Sequence, residues 1–148
     1  MRAPVLAGLA LTLAIAPAAA GAKRFDATIV RTSYGIPHVT ARDWGGIGYG
    51  VGYAYAQDNL CLLAEEFVTV AGERSRWFGP KEGAVLGFGR VDNLSSDLFF
   101  RNAIDLKALR SGRARRPREE RRLSEGYVAG YNRRLRELGA EGVPAACR

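Results

Sequence analysis

The sequence predicts a mostly α-helical chain with a short N-terminal β-hairpin. Three observations carry that reading. An alternating run from Phe25 ends in turn residues, a glycine-spaced stretch after Asp43 forms stripes of small residues, and three later segments repeat apolar residues at helical spacing. Such an inventory lacks the strands for a layered enzyme domain of its own.

Phe25, Ala27 and Ile29 lie on one side of the Phe25–Arg31 run and Asp26, Thr28 and Val30 on the other, which is the period of a strand. Thr32-Ser33-Tyr34-Gly35 signals a turn, and Ile36–Thr40 reads as a second strand. Pro37 has no N–H to give to a neighbour, so it belongs at a sheet edge or a strand start.

From Asp43 to Tyr55, alternation of glycine with Ile47, Tyr49, Val51 and Tyr53 admits a strand. We favour a helix, because Gly46, Gly50 and Ala54, and again Gly48, Gly52 and Ala56, line up at i, i+4 and would let it pack closely on a neighbour. Each interior glycine costs a helix about 1 kcal/mol relative to Ala, so this segment needs tertiary support. A nucleotide-binding loop is set aside, since the dinucleotide fingerprint requires a preceding parallel strand and a different glycine spacing.

After Asp58, Leu60, Leu63, Ala64, Phe67, Val70 and Ala71 recur at helical spacing, with Cys61 beside the leucine face and Gly72 as the stop. Arg74 to Val91 is glycine-rich and reads as a loop anchored by Trp77, Phe78 and Phe88. Periodicity returns from Asn93 to about Leu109 through Leu94, Leu98 and Ile104. In the last helix Pro117 fits the first position and Glu119 and Glu120 the first turn. Leu123, Tyr127, Tyr131, Leu135 and Leu138 form one face, and Arg133, Arg134 and Arg136 precede Gly139.

Residues 1–22 read as a secretory signal peptide: Arg2, an apolar run from Val5 to Ala16, then small residues suited to cleavage. The run is shorter than the ~20 residues a bilayer span needs, so no stable membrane anchor is expected. The net charge of +7 is concentrated in one segment, because Arg101–Arg136 holds twelve basic residues against four acidic ones. Glu119, Glu120 and Glu125 interleave with or follow its arginines and no aromatic residue lies between Arg101 and Arg122, so we read a solvated face and expect no nucleic acid.

Export makes a disulfide between Cys61 and Cys147 the favoured pairing. By the chain-entropy model it would contribute about 4–5 kcal/mol. The alternative, a buried Cys61 thiol with Cys147 bonded to another chain, stays open. His38 is the single histidine and no Gly-x-Ser-x-Gly elbow occurs, so a structural histidine is expected rather than a catalytic base. One histidine and two distant cysteines make no metal site. Glu65 and Glu66 point about 100° apart on a helix and read as a salt-bridged or solvated face. Asn93-Leu94-Ser95 matches a glycosylation sequon that matters only in a eukaryotic secretory route.

Three segments in order resemble the penicillin acylase family: Arg31-Thr-Ser-Tyr34-Gly35-Ile-Pro37-His38-Val39, then Gly48-Tyr-Gly50-Val-Gly-Tyr53-Ala-Tyr-Ala56-Gln57-Asp58, then Gly72-Glu73-Arg-Ser-Arg-Trp-Phe78-Gly79. Leu62–Glu66 and Asp92–Asp97 look closest to the branch acting on acyl-homoserine lactones and on lipopeptides such as aculeacin.

The resemblance implies an N-terminal nucleophile hydrolase of α/β/β/α layers, of which this chain would be part of the helical α-chain region, 23–148. In that family an exported precursor cuts itself, and a Ser or Cys at the new β-chain N-terminus attacks the amide of an acylated small molecule, lipopeptide or β-lactam. Its own amino group acts as base. None of the motif residues quoted above matches that catalytic set, so they are expected to be structural, and the β chain is the expected partner. No cofactor is implied, and the structural calcium of some relatives cannot be placed here. No Gly-Ser-Asn or Gly-Cys-Asn cleavage site occurs around Ser33, Ser75, Ser95, Ser96, Ser111 or Ser124, so the α region is expected to be truncated or to have a separate β partner. The rival reading is a non-catalytic exported helical binding protein on the same scaffold. Periplasmic or secreted protein is expected to have lost about its first 20–22 residues. Intact mass of the exported product checks this, and full-length protein recovered in membranes would refute it.

Overall fold

The computed structural model describes residues 25–86 and 89–147. The signal-peptide reading, and Phe88 as a loop anchor, lie outside those residues. Strands β1 (Thr28–Arg31) and β2 (Pro37–Thr40) pair antiparallel with Thr28 opposite Thr40 and Arg31 opposite Pro37. Helices α1 (Trp44–Asp58), α2 (Leu60–Val70) and α3 (Arg74–Phe78) follow. A second antiparallel pair, β3 (Gly83–Leu86) and β4 (Gly89–Asp92), leads into α4 (Asn93–Ala103), α5 (Leu106–Arg113) and α6 (Arg118–Gly142). A 3₁₀ turn spans Ala145–Cys147. The chain is mostly helical with a short N-terminal hairpin, as expected.

The glycine-spaced segment is α1, and its stripes face different neighbours. A Cβ on Gly46 would meet the Asp26 carbonyl and on Gly50 the Val39 side chain, so that stripe lies on the hairpin. A Cβ on Gly48 would collide with the Leu123 carbonyl, and on Gly52 with that of Tyr127. Helix α6 reciprocates: at Gly126 the obstruction is the Gly45 carbonyl, and at Gly130 the Tyr49 carbonyl. Two helices therefore meet backbone to backbone along paired glycines.

The apolar core is small. Ala56, Leu60, Leu63 and Tyr131 are buried, with Tyr55, Tyr127, Leu135, Leu138 and Val143 packed around them. This matches the faces expected for α2 and α6, except that Phe67, Val70 and Ala71 remain exposed. Aspartates start three helices: Asp43 accepts from the Gly46 N–H at 2.7 Å, Asp92 from Ser95 at 2.8 Å and Asp105 from Ala108 at 2.9 Å.

Several boundaries differ from expectation. The first strand begins at Thr28 rather than Phe25, because Thr40 ends the ladder opposite it and the Phe25 ring instead stacks on Tyr49. The stretch from Arg74 to Val91 is not a loop. It holds α3 and the β3–β4 hairpin, where Ala84 pairs with Val91 and Val85 with Arg90, a ladder that the glycine content concealed. Asn93–Leu109 is broken at Ile104, which is extended, because the Asp105 cap starts a new helix. Pro117 stands just outside α6, and Gly139, at φ +61°, interrupts the helix at the expected stop.

Gly130→Val is expected to lower stability by ~1–3 kcal/mol or more, because backbone leaves no room to relax. Gly112→Ala, in open space on α5, is expected to raise it by ~0.5–1 kcal/mol. Denaturant midpoints of the two variants, which should move in opposite directions, check the helix contact.

Candidate functional site

The first two motifs meet at one arginine. Arg31, at the end of β1, donates Nη1 to the Gly35 carbonyl at 2.7 Å and Nη2 to Gln57 Oε1 at 3.0 Å, and its Nη2 lies 3.0 Å from Asp58 Oδ1. The hairpin turn, with Gly35 at φ +80°, is thereby fastened to the end of α1. Pro37 is the first residue of β2, where its missing N–H does no harm. Tyr34 is 91% exposed at the turn. His38 is exposed opposite Val30, and among the described hydrogen bonds no serine or carboxylate reaches it. Gly50 and Ala56 are buried in α1, whereas Tyr53 donates its hydroxyl to Glu137 Oε2 at 2.6 Å.

The third motif forms a buried polar cluster. Gly72, at φ +65°, ends the α2 turn, and Gly79, at φ +84°, ends α3. Between them Arg74 is 5% exposed. Its Nε donates to Asn93 Oδ1 at 2.8 Å, Nη1 to Thr69 Oγ1 at 2.7 Å, Nη2 lies 2.8 Å from Glu65 Oε1, and Phe78 stacks beneath its guanidinium. Every arm of a buried cation is met, as burial requires. Glu65 thus takes the salt-bridged form of the expected face. Glu73 makes a long contact with the Trp77 indole N–H at 3.5 Å.

Asn93 returns its amide to the Gly79 carbonyl at 2.8 Å and is 1% exposed, so this fold leaves no room for a glycan on it. Asp97 accepts the N–H groups of Arg74 at 2.7 Å and Ser75 at 2.8 Å. Arg101 closes the set, donating Nε to the Gly72 carbonyl at 2.8 Å. Reading motifs alone passed over Arg31, Arg74 and Asp97 as key groups. The i, i+4 spacing of Asn93 and Asp97 was the available signal.

The cluster turns α4 inside out. Its buried residues are Asn93, Ser96 and Asp97, while Leu94, Leu98 at 62% and Phe99 face outward. Exposed apolar side chains continue over Leu62 and Phe67 of α2 and Trp77 and Phe78 of α3. Between α2 and α3 lies an open groove of about 580 Å³, lined by Leu62, Ala64, Val68, Trp77 and Phe78 and edged by Cys61 and Cys147. Those cysteines are joined, with Cα atoms 5.0 Å apart. Glu65 also lines the groove, and an exposed, largely apolar surface of this kind marks a site of contact with another molecule or a ligand. Among the described residues, no group of three or more His, Cys, Asp or Glu could hold a metal, and no helix is long and apolar enough to cross a membrane.

The motifs thus fall on two structural knots, one around Arg31 and one around Arg74, and the match to known proteins covers both. The family model described as penicillin amidase matches residues 26–146. This chain belongs to the penicillin amidase family. Acyl-homoserine lactone acylase PvdQ of Pseudomonas syringae pv. tomato is 50% identical over 125 residues, covering 84% of this chain and 16% of that protein. Aculeacin-A acylase of Actinoplanes utahensis is 39% identical over 150 residues, covering 95% of this chain and 19% of that protein. The solved structure of thermostable penicillin G acylase from Alcaligenes faecalis superposes with a TM-score of 0.68 at 29% identity, over 81% of this chain and 59% of that one. Against these two curated penicillin amidase relatives the chain spans less than a fifth of the length.

Burial raises the Asp97 carboxyl, but hydrogen bonds from Ser75 and Arg74 and the Arg101 charge outweigh it, leaving the group below the usual carboxylate range. A lowered folded value means that the unfolded chain binds the proton more readily. The stabilisation is therefore complete above the unfolded value, about 3.9, and is lost as pH falls through the lower folded one. Denaturant midpoints measured from pH 6 downward should fall less steeply in Asp97→Asn, which is expected to start from a lower stability at pH 6.

Proposed function

We propose that this chain is the α-chain region of an exported amidohydrolase, in which it forms the helical wrap of a β chain that carries the nucleophile. Residues 23–148 would follow a cleaved leader, and the complex would work in the periplasm or outside the cell. The observation that carries this reading is the inverted α4, whose inner face carries Asn93, Ser96 and Asp97, with Asn93 and Asp97 hydrogen-bonded to the Arg74 segment, while Leu94, Leu98 and Phe99 face outward. A helix packed this way needs a second apolar layer over it, and a β-chain sheet is such a layer.

Metal-free amide hydrolysis needs an activated nucleophile and donors preorganised for the oxyanion. The described residues offer His38 without a partner serine, and the polar groups of Gln57, Asp58, Tyr53 and Arg74 in the motifs are taken up in contacts within the chain. We therefore assign the nucleophile, a Ser or Cys at the β-chain N-terminus, and the oxyanion donors to the partner. Hydrolysis of this type calls for no cofactor. The names of the relatives support an acylated substrate, with acyl-homoserine lactones and lipopeptides ahead of β-lactams as the classes to try.

Complementation tests the proposal. The exported chain alone is expected to self-associate and to give no turnover on any of the three classes. Co-production with the β region of an acyl-homoserine lactone acylase is expected to yield a soluble complex that hydrolyses acyl amides. Turnover by the chain alone, abolished by His38→Ala, would overturn the assignment. A soluble monomer that binds no β region would favour the free-standing binding protein instead.

A further inference from the structure

The connection between α5 and α6 has no role in either knot, yet among the described residues it is a fully exposed basic stretch. Every residue from Arg113 to Glu120 is exposed, and no residue of α5 is buried. Three arginines, Arg113, Arg115 and Arg116, fall within four positions of it. What holds the backbone there is slight: Arg115 N–H to the Gly112 carbonyl at 3.0 Å, Arg116 N–H to that of Arg113 at 3.3 Å, and Arg121 Nη1 to that of Ala114 at 2.9 Å. The Arg113 side chain makes only a solvent-exposed contact with Glu125 at 3.4 Å. A short helix with no buried face opens at little cost, and an opened, exposed segment is what a protease active site accepts.

We propose that residues 113–117 form a processing site for an arginine-specific, trypsin-like endoprotease, and that the fold is built to survive the cut. Water adds across the peptide bond after Arg113 or Arg115, leaving a carboxylate on that arginine and a free amine on Ala114 or Arg116. The bond after Arg116 is excluded, because Pro117 places a ring nitrogen at the leaving position.

Arg42 and Lys81 are exposed in single bends and Lys107 and Arg110 on α5, but none of them stands in a run of arginines, and others are held within their elements. Arg90 lies in the β4 ladder, Arg74 is buried, and Arg133, Arg134 and Arg136 sit on α6, which is packed along α1. After the cut, α1 and Cys61 belong to the first piece and α6 and Cys147 to the second. The glycine contact between the helices and the Cys61–Cys147 bridge both cross the break. The product is a two-piece molecule held together covalently.

Brief digestion of the full exported chain with limiting trypsin tests this, in complex with a β region where one is co-produced. The expected first product migrates as one species without reductant and as two with it, and the new N-terminus reads from Ala114 or Arg116. In Cys61→Ser the same cut should give two pieces under denaturing conditions without reductant. The triple variant R113Q/R115Q/R116Q should lose the first cut while keeping its circular dichroism. A first cut at Lys81 or Arg90, or pieces of the native chain that part without reductant, would overturn the proposal. Should the triple variant fail to fold, the order of cuts in the native chain decides alone.

Discussion

Everything in this chain hangs on the approach of two helix backbones. Where Gly48 and Gly52 of α1 face Leu123 and Tyr127 of α6, and Gly126 and Gly130 face Gly45 and Tyr49, the missing Cβ of each glycine points at a carbonyl of the other helix. That is the geometry of Cα–H to carbonyl contacts, weak singly and repeated here along the seam. The cost of so many glycines in a helix is met by this tertiary contact rather than by propensity. Polar groups flank the seam: Arg133 donates to the Tyr49 hydroxyl at 2.6 Å and to Glu137 at 2.7 Å, and Glu137 in turn accepts from Tyr53. Hydrogen bonding to Glu137 holds the Tyr53 hydroxyl above its usual range, so it remains a donor.

With α1 fixed between α6 and the hairpin, the two knots acquire their places. Arg31 ties the hairpin turn to the end of α1, and α2, starting two residues later, carries Glu65 and Thr69 toward Arg74. The family motifs thus mark where chain segments are joined to one another. Most of their polar atoms are taken up in those joints.

Much of this was legible in the residues. The two glycine stripes of α1 predicted close packing on a neighbour, and the leucine and tyrosine spacing of α2 and α6 predicted the core, because small and apolar side chains act through periodicity alone. The β3–β4 hairpin was hidden, since its pairing of Ala84 with Val91 depends on a partner strand rather than on a pattern within one. Helix α4 was legible as a helix and illegible in its orientation. Periodicity says which residues share a face and assumes that the apolar face turns inward, whereas Arg74, a single buried cation, draws Asn93 inward from the other side. The break at Ile104 was written in Asp105, whose capping carboxylate overrode the continuing leucines.

The bridge from α2 to the final turn has a mechanical side. It joins residues 86 apart in sequence, enclosing α3 to α6 and both strands of the second hairpin in one covalent loop. Tension applied to the two ends of the polypeptide runs through the sulfur atoms and bypasses that loop. Among the described residues the segment before Cys61 lies outside the loop, and some 300 Å of contour, at about 3.4 Å per residue, stays hidden from the load. The seam between α1 and α6 is then the one large contact on the force path, and it joins the loop to the part that stretches.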